Sequence, residues 1–198
     1  MNSLNESVAL TNLLGMLAID SMLAPLCVLL ILAAVIDLRT YRIPNWLCAS
    51  GICYALLHGL LTSTPTWYAA PVTAIGGLMT GAALMLPMYL FGVLGAGDVK
   101  LTAMAGAFLS AVQIGQATII VFIVGGIAAL VFSLRHRALQ RMLRNAGDIA
   151  RSAVLSFGTG GMPSMQIAGG VSVGRLPYGV SIAIGTILYV VARQIGYV

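Results

Sequence analysis

Two aspartates, Asp37 in VIDLRTYRIPN and Asp98 in GAGDVKL, stand at the ends of apolar runs in a chain with only five acidic residues. Ionisable groups at membrane depth are costly, so an acid placed there is read as functional by default. Two carboxylates brought together cannot both ionise easily, and one proton is shared between them. The ionised member can activate water while the protonated member polarises a carbonyl, which amounts to hydrolysis without a metal, a cofactor or a covalent nucleophile. Other hydrolytic designs lack parts: neither HExxH nor GxSxG occurs, and His58 and His136 fall in an apolar run and a basic segment. Ser50 and His58 would lie about two helical turns apart, beyond hydrogen-bond reach. His58 is therefore expected to be a packed or polar-contact residue.

Composition dictates what positions the acids. With 60% hydrophobic and 8% charged residues over 198 positions and a mean hydropathy of +1.01, the chain is an integral membrane protein. Apolar runs at about 22–38, 46–61, 69–91, 99–114, 116–134 and 177–195 predict about six transmembrane helices. Backbone groups in lipid need internal partners, and continuous apolar runs exclude the alternation of a β-barrel, so the fold is expected to be all-α and polytopic. No separate soluble domain fits, and residues 1–198 read as a single membrane-embedded unit. The second and fourth runs are short for a full crossing, which predicts a locally thinned membrane or shielding by neighbouring helices. Gly76, Gly77, Gly81, Gly106, Gly125 and Gly126 are candidate sites of close helix packing.

Nine of the ten cations, all but Arg193, fall on one side of this arrangement, which predicts that side to be cytoplasmic and both termini to face outward. The second and third runs leave that face and return to it between Asp37 and Asp98. Both acids are thus expected at one membrane depth, at the cytoplasmic boundary.

Residues 135–155 alternate Leu139, Met142, Leu143 and Ile149 with Arg137, Arg141, Arg144 and Arg151, the pattern of an interfacial amphipathic helix that favours anionic lipid headgroups. Asp148 there is expected to pair with Arg144 or Arg151 rather than act as a third catalytic acid. The lipid-facing character of this basic strip argues against nucleic acid as a partner. The following Gly- and Ser-rich stretch 156–175 reads as a connector or a gating lid. The first 20 residues lack a basic n-region, so the first span is expected to be retained.

GAGDVKL at 95–101 resembles the GxGD motif, and the Asp-x(6)-Pro-Asn of 37–45 resembles the first aspartate motif, of type IV prepilin peptidases; LPYG at 176–179 opens the last span. The combination is more specific than any one part and covers about 22–190. The resemblance implies an aspartic endopeptidase of the bacterial inner membrane, with Asp37 and Asp98 as catalytic pair, that removes the basic leader of a prepilin or pseudopilin at the cytoplasmic face. The form without an extra cytoplasmic domain resembles the peptidases of tight-adherence (Flp-type) pili, which implies pilus-assembly machinery as a further partner. Long members add N-methylation and carry a zinc-binding-like insert with paired cysteines. Cys27, Cys48 and Cys53 sit in apolar runs without metal-site spacing, so no metal site is expected, and whether methylation follows cleavage is left open by the resemblance.

The flanking residues have their own physical readings. Gly95 and Gly97 would let a substrate strand approach Asp98 without a Cβ clash. Pro44 restrains Ile43 to an extended conformation, and Asn45 can cap the helix that follows. Lys100 is either a headgroup anchor or a neighbour of the site. Pro177, Tyr178 and Gly179 would leave irregular backbone near the site, able to pair with an extended substrate. The rival reading is a small ion or proton transporter using the two acids as relay groups. Against it, both acids lie at one face and none lies mid-span.

Overall fold

The computed structural model describes residues 21–62, 69–135, 147 and 177–196. They form six helices in chain order: α1 (Leu23–Thr40), α2 (Asn45–Thr62), α3 (Ala69–Leu90), α4 (Ala96–Phe108), α5 (Ala111–Arg135) and α6 (Tyr178–Ile195), with no strand among the described residues. Four of these, α1, α3, α5 and α6, are long and apolar enough to cross a membrane. The protein is a polytopic, all-α membrane protein. Most of the expected amphipathic helix, with its Asp148 pairing, and the Gly-rich stretch 156–175 fall outside the described residues.

The chain turns where local chemistry demands it. α1 ends at Tyr41, whose φ of 51° places it in the left-handed region, uncommon for a residue with a Cβ. Only four residues, Tyr41 to Pro44, then connect α1 to α2. α3 runs through Pro87 for one final turn, and Gly92, at φ 70°, reverses the chain.

One expected boundary is wrong. The apolar pattern predicts a fourth run over 99–114 and a fifth from 116, but the helix ends at Phe108 and α5 begins at Ala111. Ser110 and Gln113 explain the break: the Ser110 amide donates to Gln113 Oε1 at 3.1 Å, and the Gln113 amide donates to Ser110 Oγ at 3.4 Å. This reciprocal pair is a capping box that starts α5 ahead of the expected position.

α4 is the centre of the bundle and packs against all five other helices. Every residue from Leu101 to Phe108 is buried. At roughly 1.5 Å per residue its length is about 20 Å, short of a hydrocarbon core of about 30 Å; enclosure by protein removes the need to span it. Small residues make that enclosure possible. A Cβ on Gly106 would land on the carbonyl of Gly77, and one on Gly81 on the carbonyl of Thr102, so α3 and α4 touch backbone to backbone. Gly76 and Gly126, also expected to serve packing, face open space instead. The outer surface is apolar: Ile119, Ile123, Ile127 and Val131 form an exposed stripe along α5.

Gly106→Val forces α3 and α4 apart and is expected to cost about 3 kcal/mol or more. In detergent this reads as a melting-temperature drop on the order of 10 °C. Gly126→Val, which meets nothing, is expected to leave the melt near wild type.

Candidate active site

Asp37 lies one turn inside α1 rather than at its end, and Asp98 lies in the first turn of α4 rather than ahead of it. Both are buried, at 5% and 9% exposure. Each carboxylate is held on one oxygen by a glycine amide. Gly179 N–H donates to Asp37 Oδ2 at 2.8 Å across 142 residues of chain, and Gly95 N–H donates to Asp98 Oδ2 at 3.0 Å. The Asp98 amide in turn donates to the Gly95 carbonyl at 3.1 Å. This is half of a capping box, since Gly95 has no side chain to return the second bond.

These two amides belong to helix starts, where unpaired N–H groups and the positive end of the helix dipole favour an anion. α6 presents its second residue to Asp37, and α4 presents its N-cap to its own Asp98. Among the described residues, Oδ1 of each acid accepts no hydrogen bond and neither acid has a salt-bridge partner. Those oxygens are left for water or substrate.

Both acids open into one cleft of about 750 Å³, lined also by Tyr41, Arg42, Ile43, Asn45, the Gly92–Gly97 segment, Lys100, Ala129 and Tyr178. A smaller cavity of about 300 Å³, lined by Leu23, Leu109 and Arg193 among others, contains neither acid.

The residues singled out in the sequence converge, though not always as expected. Asn45 opens α2, but its side-chain oxygen accepts a hydrogen bond from Lys100 Nζ at 2.9 Å instead of capping the helix. Gly97 makes room for Ile43: an added Cβ would sit 3.2 Å from the Ile43 Cβ. Gly179 has no room for a side chain, because its Cβ would lie 2.8 Å from Asp37 Oδ2. The Tyr178 ring lies over Gly125, where a Cβ would meet Tyr178 Oη at 2.6 Å. Pro44 and Pro177 stay out of the cleft lining and act on the backbone, ahead of α2 and as the N-cap of α6. His58 is elsewhere, with Nε2 2.8 Å from Ser21 Oγ and its ring stacked on Tyr54 at 5.8 Å. Among the described residues no three His, Cys, Asp or Glu side chains cluster as a metal site would require.

Sequence reasoning passed over Tyr41, Arg42 and Ala129. In the sequence Arg42 signals topology alone, as one of the cations that follow the first span. Tyr41 becomes a wall of the cleft through its left-handed turn, which its residue type does not announce. Ala129 gave no signal, because α5 reaches the cleft by tertiary packing alone.

No curated protein and no solved structure matches the chain. A family model does: that of the type IV leader peptidase family, over residues 24–134. The matched stretch is more than half of the chain; it carries both acids, the four-residue connector and the glycines around Asp98, and stops before α6, which brings the amide that holds Asp37. Through the helices that raise Asp37 and Asp98 into a common cleft, this multi-pass membrane peptidase belongs to the type IV leader peptidase family.

Proposed function

We propose that the protein is an aspartic endopeptidase that removes the basic leader of a type IV prepilin, of the Flp type, at the cytoplasmic face of the bacterial inner membrane. The observation that carries this reading is the pair of carboxylates lining one cleft, each held by a glycine amide on Oδ2, with no hydrogen bond to Oδ1 among the described residues. With one shared proton, the ionised acid takes a proton from water as the water oxygen attacks the scissile carbonyl carbon. The protonated acid gives its proton to the carbonyl oxygen. Collapse of the tetrahedral intermediate returns that proton to its acid, and the proton taken from water passes to the leaving amine.

Charge supports the orientation. Arg39 and Arg42 follow Asp37, and Lys100 follows Asp98, so the cleft lies on the cation-rich side that short cytoplasmic loops favour. The Flp-type assignment is the reading that the sequence resemblance implies; Cys27, Cys48 and Cys53 are free thiols within α1 and α2. The whole chain acts as one membrane-embedded unit whose partners are the prepilin, surrounding lipid and the pilus-assembly machinery.

The test uses the full chain purified in detergent and a prepilin carrying its leader. The expected result is one new product whose mass equals the prepilin less its leader, with the cut ahead of the pilin's hydrophobic helix. An intact prepilin together with ion flux through the protein in liposomes would replace the peptidase by the transporter.

A further inference from the structure

Resting on the peptidase reading above, we propose that Lys100 is a positioning residue for the aspartate pair, and that it acts through Asn45. The two residues are 55 positions apart, yet Lys100 Nζ donates to Asn45 Oδ1 at 2.9 Å. Lys100 is two residues beyond Asp98. Asn45 is the first residue of α2, joined by the Tyr41–Pro44 connector to the end of α1, where Asp37 sits one turn back. The bond therefore joins the two acids by a short path: Asp37, the connector, Asn45, Lys100, Asp98.

A second contact runs along the same seam. Ile43 lies against Gly97, so closely that a Cβ on Gly97 would sit 3.2 Å from its Cβ. Ile43 on Gly97 and Asn45 on Lys100 lay the connector along the first turn of α4. The rest of the connector is tied back to α1 rather than to α4: the Tyr41 amide donates to the Asp37 carbonyl at 2.9 Å, and Thr40 Oγ1 donates to the Arg42 carbonyl at 3.0 Å.

The chemistry of the partner also fits. An ammonium salt-bridged to Asp98 would favour two ionised carboxylates and remove the protonated member of the pair. Bonding to the neutral amide of Asn45 lets Lys100 tie the two segments together while its charge stays off Asp98. Lys100 lines the cleft, but among the described residues its side-chain hydrogen bond goes to Asn45.

Positioning predicts a fall in kcat with little change in KM, since misplacing reacting groups by about an ångström can cost roughly 10²-fold. Lys100→Met and Asn45→Ala are each expected to lower kcat by about 10- to 100-fold. The double variant is expected to be no worse than the poorer single variant, because one bond is lost either way. Asn45→Asp, which keeps an acceptor for the ammonium, is expected to recover most of the rate lost in Asn45→Ala. Independently of cleavage, hydrogen–deuterium exchange at the amides of residues 41–47 is expected to quicken in Lys100→Met. Additive losses, a rise in KM at constant kcat, or unchanged rates in both single variants would overturn the proposal. A wild-type protein that cleaves no prepilin sinks the peptidase reading, and the exchange comparison still judges the tether: unchanged exchange overturns it, faster exchange supports it.

Discussion

Asp37→Asn and Asp98→Asn are each expected to lower prepilin cleavage by roughly 10⁴-fold or more, the scale of losing an acid–base group from a unit that works as a pair. The amide substitution is the informative one. In Asp98→Asn the new side chain keeps an oxygen that can accept the Gly95 amide, and in Asp37→Asn it keeps one for the Gly179 amide, so both helix-start bonds survive. Asp98→Ala would remove the capping oxygen as well, at about 1 kcal/mol, and mix a structural loss with a chemical one. Burying an unpaired carboxylate opposes folding, so the two amide variants are expected to melt at or above the wild-type temperature. Cleavage measured by product mass, beside a melt in the same detergent, checks both parts. Cleavage near the wild-type rate in either amide variant would remove the aspartate mechanism.

Gly179→Ala is expected to lower cleavage by roughly 10²-fold although it deletes no charged or polar group. The added methyl would lie 2.8 Å from Asp37 Oδ2 and 3.1 Å from its Cγ. The neighbour cannot yield cheaply, because it is the carboxylate itself. Either Asp37 leaves its amide or the start of α6 retreats, and both change the distance across the cleft. Gly179→Val adds two further carbons in the same space and is expected to abolish cleavage. Gly126→Ala serves as control, since a Cβ there meets nothing within 4 Å and alanine favours the helix by up to about 1 kcal/mol. Full activity in Gly179→Ala would show that the Asp37–Gly179 contact is not needed.

The parts of this molecule that could be read from sequence are those set by composition and local pattern. Asp37 and Asp98 stood out because a carboxylate in an apolar chain needs a reason, and the apolar runs marked α1, α2, α3 and α6 closely at both ends. The α4–α5 break was missed although its signal was present: Ser110 and Gln113 carry the capping spacing, but the apolar run through 109–114 masked it. Glycines posed a different problem. Gly76 and Gly77 are neighbours of one type, yet only Gly77 meets α4, and the choice depends on a helix that comes later in the chain. The same limit hid the Lys100–Asn45 bond and the seat of Asp37. Their partners are 55 and 142 residues away, and nothing local to either residue encodes such a pairing.

The hydrogen bonds that steady Oδ2 of Asp37 and Asp98 come from main-chain donors, and this shapes how the protein can vary. A side-chain donor is deleted by a single codon change, whereas an amide persists through every replacement except proline. Short of proline, mutational drift at 95 and 179 can therefore disturb the pair only by adding bulk. Natural variation in the walls of the cleft is free to retune what enters it while the two carboxylates keep their aim.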